Sequence, residues 1–173
     1  MNRGLSAIAL VFGLTTPSAA QSPAPPGPLL KGLGTVMVQV VEPFVIGGEM
    51  AELSETSLQS LAEDTLKKKN GVPVLDIGRD RLDPGRPILG HLVLTVTVVN
   101  GPSGPRGYFV NLRLMESATL LRGEKRSTMA ATWDVGRSGP ADRTDLAQRI
   151  HEAVGRVCDS FSTEYAAANP KGK

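Results

Sequence analysis

The sequence predicts an α+β fold in two layers, a mostly antiparallel sheet with two helices packed on one face. Three observations lead there. Two stretches carry apolar residues at helical spacing, the region between them alternates apolar and polar residues as strands do, and both helical stripes need one apolar sheet face to cover them. With 173 residues, 40% apolar and 21% charged, the chain suffices for a single domain with its own core. The predicted order is β-α-β-β-β-β-α, with the domain spanning 33–170.

Before the domain, residues 1–20 have the anatomy of a secretory signal peptide. Arg3 supplies the positive charge, Leu5 to Leu14 an apolar run, and Ser18-Ala19-Ala20 a small-residue end, which predicts a mature chain starting at Gln21. The run is too short to span a bilayer, and no Cys near the cut offers a site for a lipid anchor. Residues 21–32, with Pro23, Pro25, Pro26 and Pro28, read as an extended, solvated leader. The expected localisation is periplasmic or secreted.

Within the domain, Thr35 to Glu42 is rich in β-branched residues and predicts a strand that ends before Phe44, stopped by Pro43. Residues 43–53 are apolar but broken by Gly47-Gly48, which suggests a loop over the core. Thr56 and Gln59 at capping-box spacing, the face Leu58, Leu61, Ala62, Thr65 and Leu66, and the closing pair Asn70-Gly71 predict a helix over about 57–69. Lys67, Lys68 and Lys69 fall in its last turn, where they complement the negative dipole end on a solvated face. Val72 to Ile77 predicts a short second strand, placed at an edge because Pro73 lacks a donor. Gly78 to Pro87 reads as a surface loop.

From His91 the alternation is strong: Leu92, Leu94, Val96 and Val98 share one face, a Gly/Pro-rich turn follows, and Val110, Leu112 and Leu114 repeat the pattern. A second turn at Arg122 to Lys125 leads to a strand whose buried face is expected to be Met129, Ala131, Trp133 and Val135. The opposite face then collects Thr95, Thr97, Asn111, Arg113, Thr128, Thr132 and Asp134, with Arg113 across from Asp134. The last helix carries Leu146, Ile150, Ala153, Val154, Val157, Phe161 and Tyr165 at intervals of three and four, and Pro170 lies just past its end.

The chemistry offered is sparse. There are 19 Lys and Arg against 17 Asp and Glu, a net charge of +2 that falls to +1 if Arg3 leaves with the signal, so no global field points to nucleic acid or a membrane surface. Only His91 and His151 are available to a nucleophilic triad or a metal, with no GxSxG or HExxH around them, and Asp76, Asp80 and Asp83 lack calcium-loop spacing. No catalytic residue, metal or cofactor is assigned. The lone Cys158 lies beside the last helix's apolar stripe, either buried and inert or available to join two chains.

The candidate binding residues are therefore those of the wet sheet face: Thr95, Thr97, Asn111, Arg113, Thr132 and Asp134. Such a face receives a partner or is simply solvated, as two-layer sheets often are, and no exposed aromatic cluster is expected on it. A free sheet edge is a second candidate, for strand addition.

The layout resembles a loosely defined group of small exported bacterial proteins of uncharacterised function. The resemblance is carried by the Asn70-Gly71-Val72-Pro73-Val74 step after the first helix, the Leu121-Arg122-Gly123-Glu124-Lys125 turn, Ala131-Thr132-Trp133 and the terminal Tyr165 to Pro170. The element order is also similar to small α+β modules of periplasmic assembly and envelope-integrity proteins, such as the N-terminal domain of the Tol-Pal translocation β-propeller protein. Neither resemblance implies an activity. The expectation is an exported, non-enzymatic binding or accessory protein of the envelope, with a protein partner or a second copy on its sheet. The alternatives are a small hydrolase built from acids and His91, and a small-molecule carrier with its ligand under the Gly47-Gly48 loop.

Overall fold

The computed structural model describes residues 28–41, 43–46, 53–75, 89–101, 106–120 and 126–170. The signal segment, the first part of the leader, Gly47-Gly48, the segment holding Asp76, Asp80 and Asp83, and the turns at 102–105 and 121–125 lie outside them. The fold is the predicted two-layer α+β arrangement: a mostly antiparallel sheet carries both helices against one face.

Strand β1, Thr35–Val40, runs parallel to β3, Leu89–Val99, which pairs antiparallel with β4, Arg106–Leu120, and β4 in turn with β5, Arg126–Ala141. Strand alternation works as read: Val36, Val38 and Val40 of β1, Leu92, Leu94, Val96 and Val98 of β3, and Val110, Leu112 and Leu114 of β4 are all buried. Helix α1, Glu55–Asn70, lies over β1, and α2, Leu146–Ala168, lies over β4 and β5, with the two helices packed side by side. Leu58, Leu66, Ile150, Val154, Val157 and Phe161 complete the core. The edge of the Phe161 ring meets Trp133, with centroids 5.1 Å apart, close to the T-shaped geometry aromatic pairs favour.

Four local expectations are corrected. First, strand pairing along this edge does not stop at Pro43. After a break, Phe44–Ile46 forms a short β2 that continues along β3, pairing parallel with Thr97 to Val99. Proline lacks the amide proton for the ladder, but it interrupts only one position, and the residues beyond it resume pairing. Second, the expected strand from Val72, described as far as Leu75, contributes a single parallel bridge, Val36 to Val74, on the outer side of β1. It is at the edge, as Pro73 requires, and Pro73 takes part through its carbonyl, which accepts from the Val36 amide at 2.9 Å.

Third, α1 is capped by Ser54 and not by Thr56. The Ser54 hydroxyl accepts the Ser57 amide at 3.1 Å, while Gln59 donates to Glu63. The C-terminal end is as read: Gly71 takes the left-handed conformation at φ 59°, which a side chain would strain. Lys67 and Lys68 pair with Glu63 and Asp64 one turn back, on an exposed face. Fourth, the end of the leader is part of the fold. Pro28–Leu30 forms a 3-10 turn, Leu30 and Leu33 are buried, and Asn169 at the end of α2 binds the segment: its side-chain oxygen accepts the Gly32 amide at 2.8 Å and its amide donates to the Leu30 carbonyl at 2.7 Å.

Candidate functional site

The sheet face away from the helices is made of cross-strand rows, because residues paired in register point the same way. One row runs Phe44, Thr97, Phe109, Ser138, and beside it stands Ile46, Val99, Gly107, Pro140. The next row holds Thr95, Asn111 and Gly136, followed by Gln39, Val93, Arg113 and Asp134. Along these four rows the face grades from apolar to polar, and the next row, Met37, His91, Met115 and Ala131, is largely apolar again. Phe44 is 63% exposed, Ile46 48%, Val99 45% and Phe109 43%, a concentration of bare apolar surface in two adjacent rows.

Five of the six candidate residues stand on this face: Thr95, Thr97, Asn111, Arg113 and Asp134. Asn111 is almost fully buried despite its position. Its side-chain amide donates to the Val135 carbonyl at 3.2 Å, and its side-chain oxygen has no hydrogen-bond partner among the described residues. The Phe109 ring extends across Gly136, where a Cβ would come within 2.9 Å of the ring carbon Cε2, so the glycine makes room for the ring on the open face. Arg113 and Asp134 face each other in register as expected, both exposed, and no ion pair joins them among the described residues.

Thr132 is the residue the structure does not bring to this group. A bulge falls there: Leu114 pairs with Trp133, but Met115 pairs with Ala131, so Thr132 is extra. Its hydroxyl donates to Glu116, two residues from Leu114 and on the helix side of β4. The bulge also turns Ala131 and Met129 to the open face beside Met115 and Ser117, and Met129 is 49% exposed. The expected buried face of β5 is therefore reduced to Trp133 and Val135, both partly buried against the core. Trp133 is held by Glu164 of α2, which accepts its indole N–H at 2.7 Å.

The open face does carry two exposed aromatic rings, Phe44 and Phe109, standing in one row on either side of Thr97. Phe109 is legible from its alternation with the buried Val110 and Leu112. Phe44 is hidden in the sequence because Pro43 and Gly47-Gly48 read as loop.

His91 shares a row with Met37, Met115 and Ala131, which holds no acid, and His151 is exposed on α2. Among the described residues no group of three or more His, Cys, Asp and Glu is arranged to hold a metal ion, and no helix is long and apolar enough to cross a membrane. Cys158 is fully buried, and burial, with the charge of Asp159 beside it, pushes its thiol up to about 12.

No family model matches the chain, and no curated protein does. Among solved structures the chain is similar to a dodecamer of a PelC point variant from Paraburkholderia phytofirmans, at 18% identity and TM-score 0.39, covering 73% of this chain and 87% of that one. It is similar to a minor lipoprotein from Acinetobacter baumannii at 14% identity and TM-score 0.32, covering 83% and 98%. A third, a hypothetical protein from Chlamydia trachomatis, matches at 10% identity and TM-score 0.33, covering 78% and 94%. None of these brings a residue or a role to this chain.

Proposed function

We infer that the protein is an exported accessory protein of the cell envelope that works by binding a protein partner on its open sheet face. The observation that carries this is the double row Phe44, Thr97, Phe109 and Ile46, Val99. Large apolar side chains stand bare in these two adjacent rows, and the charges Arg113 and Asp134 stand two rows further along the same face. Exposed aromatics rimmed by polar groups are the composition of an interaction hot spot. The hydroxyls of Thr95 and Thr97 between them supply donors and acceptors for orientation. The export half of the proposal rests on the Arg3, Leu5 to Leu14 and Ala20 pattern.

The test is native mass spectrometry of the protein purified gently from its exported compartment, beside Phe44→Ser, Phe109→Ser and Arg113→Glu variants. The expected result is a retained complex whose dissociation constant rises about tenfold or more in each variant, with thermal stability unchanged. His91→Ala and His151→Ala are expected to leave it intact. Association untouched by Phe109→Ser and Arg113→Glu would sink the proposal. A retained mass equal to a second copy would make the partner this chain itself.

A further inference from the structure

Where α2 crosses the strands, three arginines surround one pocket, whose lining also reaches Ser138 at the margin of the open face. Its lining includes Tyr108 and Arg137 from the strands and Arg149, Glu152, Ala153 and Arg156 from α2. The strands and the helix each place their share. Tyr108 pairs in register with Val98 and Arg137 with Val110, both wholly buried under the helices, so both side chains rise on the helix side. Arg149, Glu152 and Arg156 follow at three- and four-residue spacing and form one stripe of α2, and the small Ala153 beside them leaves the pocket open.

The charges do not cancel. Glu152 is the one acid in the lining, and both its oxygens are engaged: one lies 3.5 Å from Arg149 and the other accepts the Gln148 side chain at 3.0 Å. Arg137 reaches only the carbonyl of its neighbour Gly136, at 3.3 Å, and Arg156 has no ion-pair partner among the described residues. Three guanidinium groups against one carboxylate leave an excess of two positive charges around a single concavity in a chain whose net charge is only +2. Each guanidinium has five donors in a rigid fork, and among the described residues most of them here have no protein acceptor. Water and salt screen the repulsion among these exposed guanidinium groups, and an anion seated in the concavity is attracted by all three at once.

We propose that this pocket binds a phosphomonoester dianion, whose two charges match the excess and whose three terminal oxygens can each accept from a different arginine. A carboxylate offers two oxygens and one charge and would leave one guanidinium unmatched. The Tyr108 hydroxyl, which stands over Gly139 where a Cβ would come within 3.0 Å of it, is a further donor at the rim.

The test titrates the exported protein with pyrophosphate, and with chloride at matched ionic strength, by calorimetry. A parallel arm follows co-sedimentation with phosphatidylcholine vesicles with and without phosphatidic acid. Saturable one-site pyrophosphate binding is expected, weakened about tenfold or more by Arg156→Gln and by Arg137→Gln, which keep most of the side-chain stem, and unchanged by Lys68→Gln on α1. Co-sedimentation that needs phosphatidic acid and fails in Arg156→Gln would identify the source as a lipid headgroup, whereas pyrophosphate binding without co-sedimentation would identify a soluble phosphate ester. Failure to saturate with pyrophosphate, or equal weakening by Lys68→Gln, would overturn the proposal. Neither result depends on whether the open face binds a partner.

Discussion

Cys158 shows how a single side chain couples burial to stability. Its folded-state thiol is pushed up to about 12 from an ordinary value of 9.0, so the folded protein holds this proton where the unfolded chain releases it. The resulting contribution is fully present below pH 9 and is lost as pH rises toward 12. Across that window urea midpoints of the wild type are expected to fall more steeply than those of Cys158→Ala, by at most about 1.4 kcal/mol per pH unit. Parallel slopes would show that the thiol stays protonated on unfolding or is solvated in the fold. Burial pushes the Tyr165 hydroxyl up as well, so the alanine variant keeps part of the alkaline lability. The same burial makes Cys158 unable to join two chains in the folded state, which decides between the two readings its position beside the stripe leaves open.

Among elements, the β4–β5 pair behaves as two different structures on either side of its bulge. From Val110 to Leu114 the side chains of Val110, Leu112 and Leu114 are sealed beneath the helices, whereas beyond Met115 the side chains of Ser117, Thr119, Leu120 and Arg126 to Met129 are exposed. A ladder without packed side chains opens locally at low cost. In native-state hydrogen exchange the amides of Ser117 to Leu120 and Arg126 to Met129 should therefore exchange about tenfold or more faster than those of Val110 to Leu114. Equal protection along the whole hairpin would mean that something covers the arm. The bulge explains why the strand pattern is only partly legible. Met129, Ala131, Trp133 and Val135 have perfect period-two spacing, and one inserted residue at Thr132 sends the first two to the other face. Strand period is local, but a bulge depends on the partner strand, and no feature of β5 alone announces it.

At the scale of the whole molecule, the two ends of the domain are fastened to each other. Asn169 binds both Gly32 and Leu30, and the Tyr165 hydroxyl reaches the Gly34 carbonyl at 3.4 Å, so the entry to β1 and the exit of α2 form one unit. Asn169→Ala removes the acceptor of the Gly32 amide and leaves the Leu30 carbonyl with only the Leu33 amide, and it is expected to cost about 1 kcal/mol, read as a lowered urea midpoint with an unchanged slope. An unchanged midpoint would show the clasp to be dispensable. This contact, 137 residues apart in sequence, has no signal in a segment that reads as Pro-rich leader. The fold class, both helices, the meander and the parity that places Thr95, Thr97, Asn111, Arg113 and Asp134 on one face follow from local spacing, because apolar period alone decides which side of an element is buried. The exposed rows at Phe44 and Phe109, the departure of Thr132, the clasp at Asn169 and the gathering of Arg137 with Arg149 and Arg156 were decided in three dimensions, where register and the crossing of α2 over the sheet bring distant residues together.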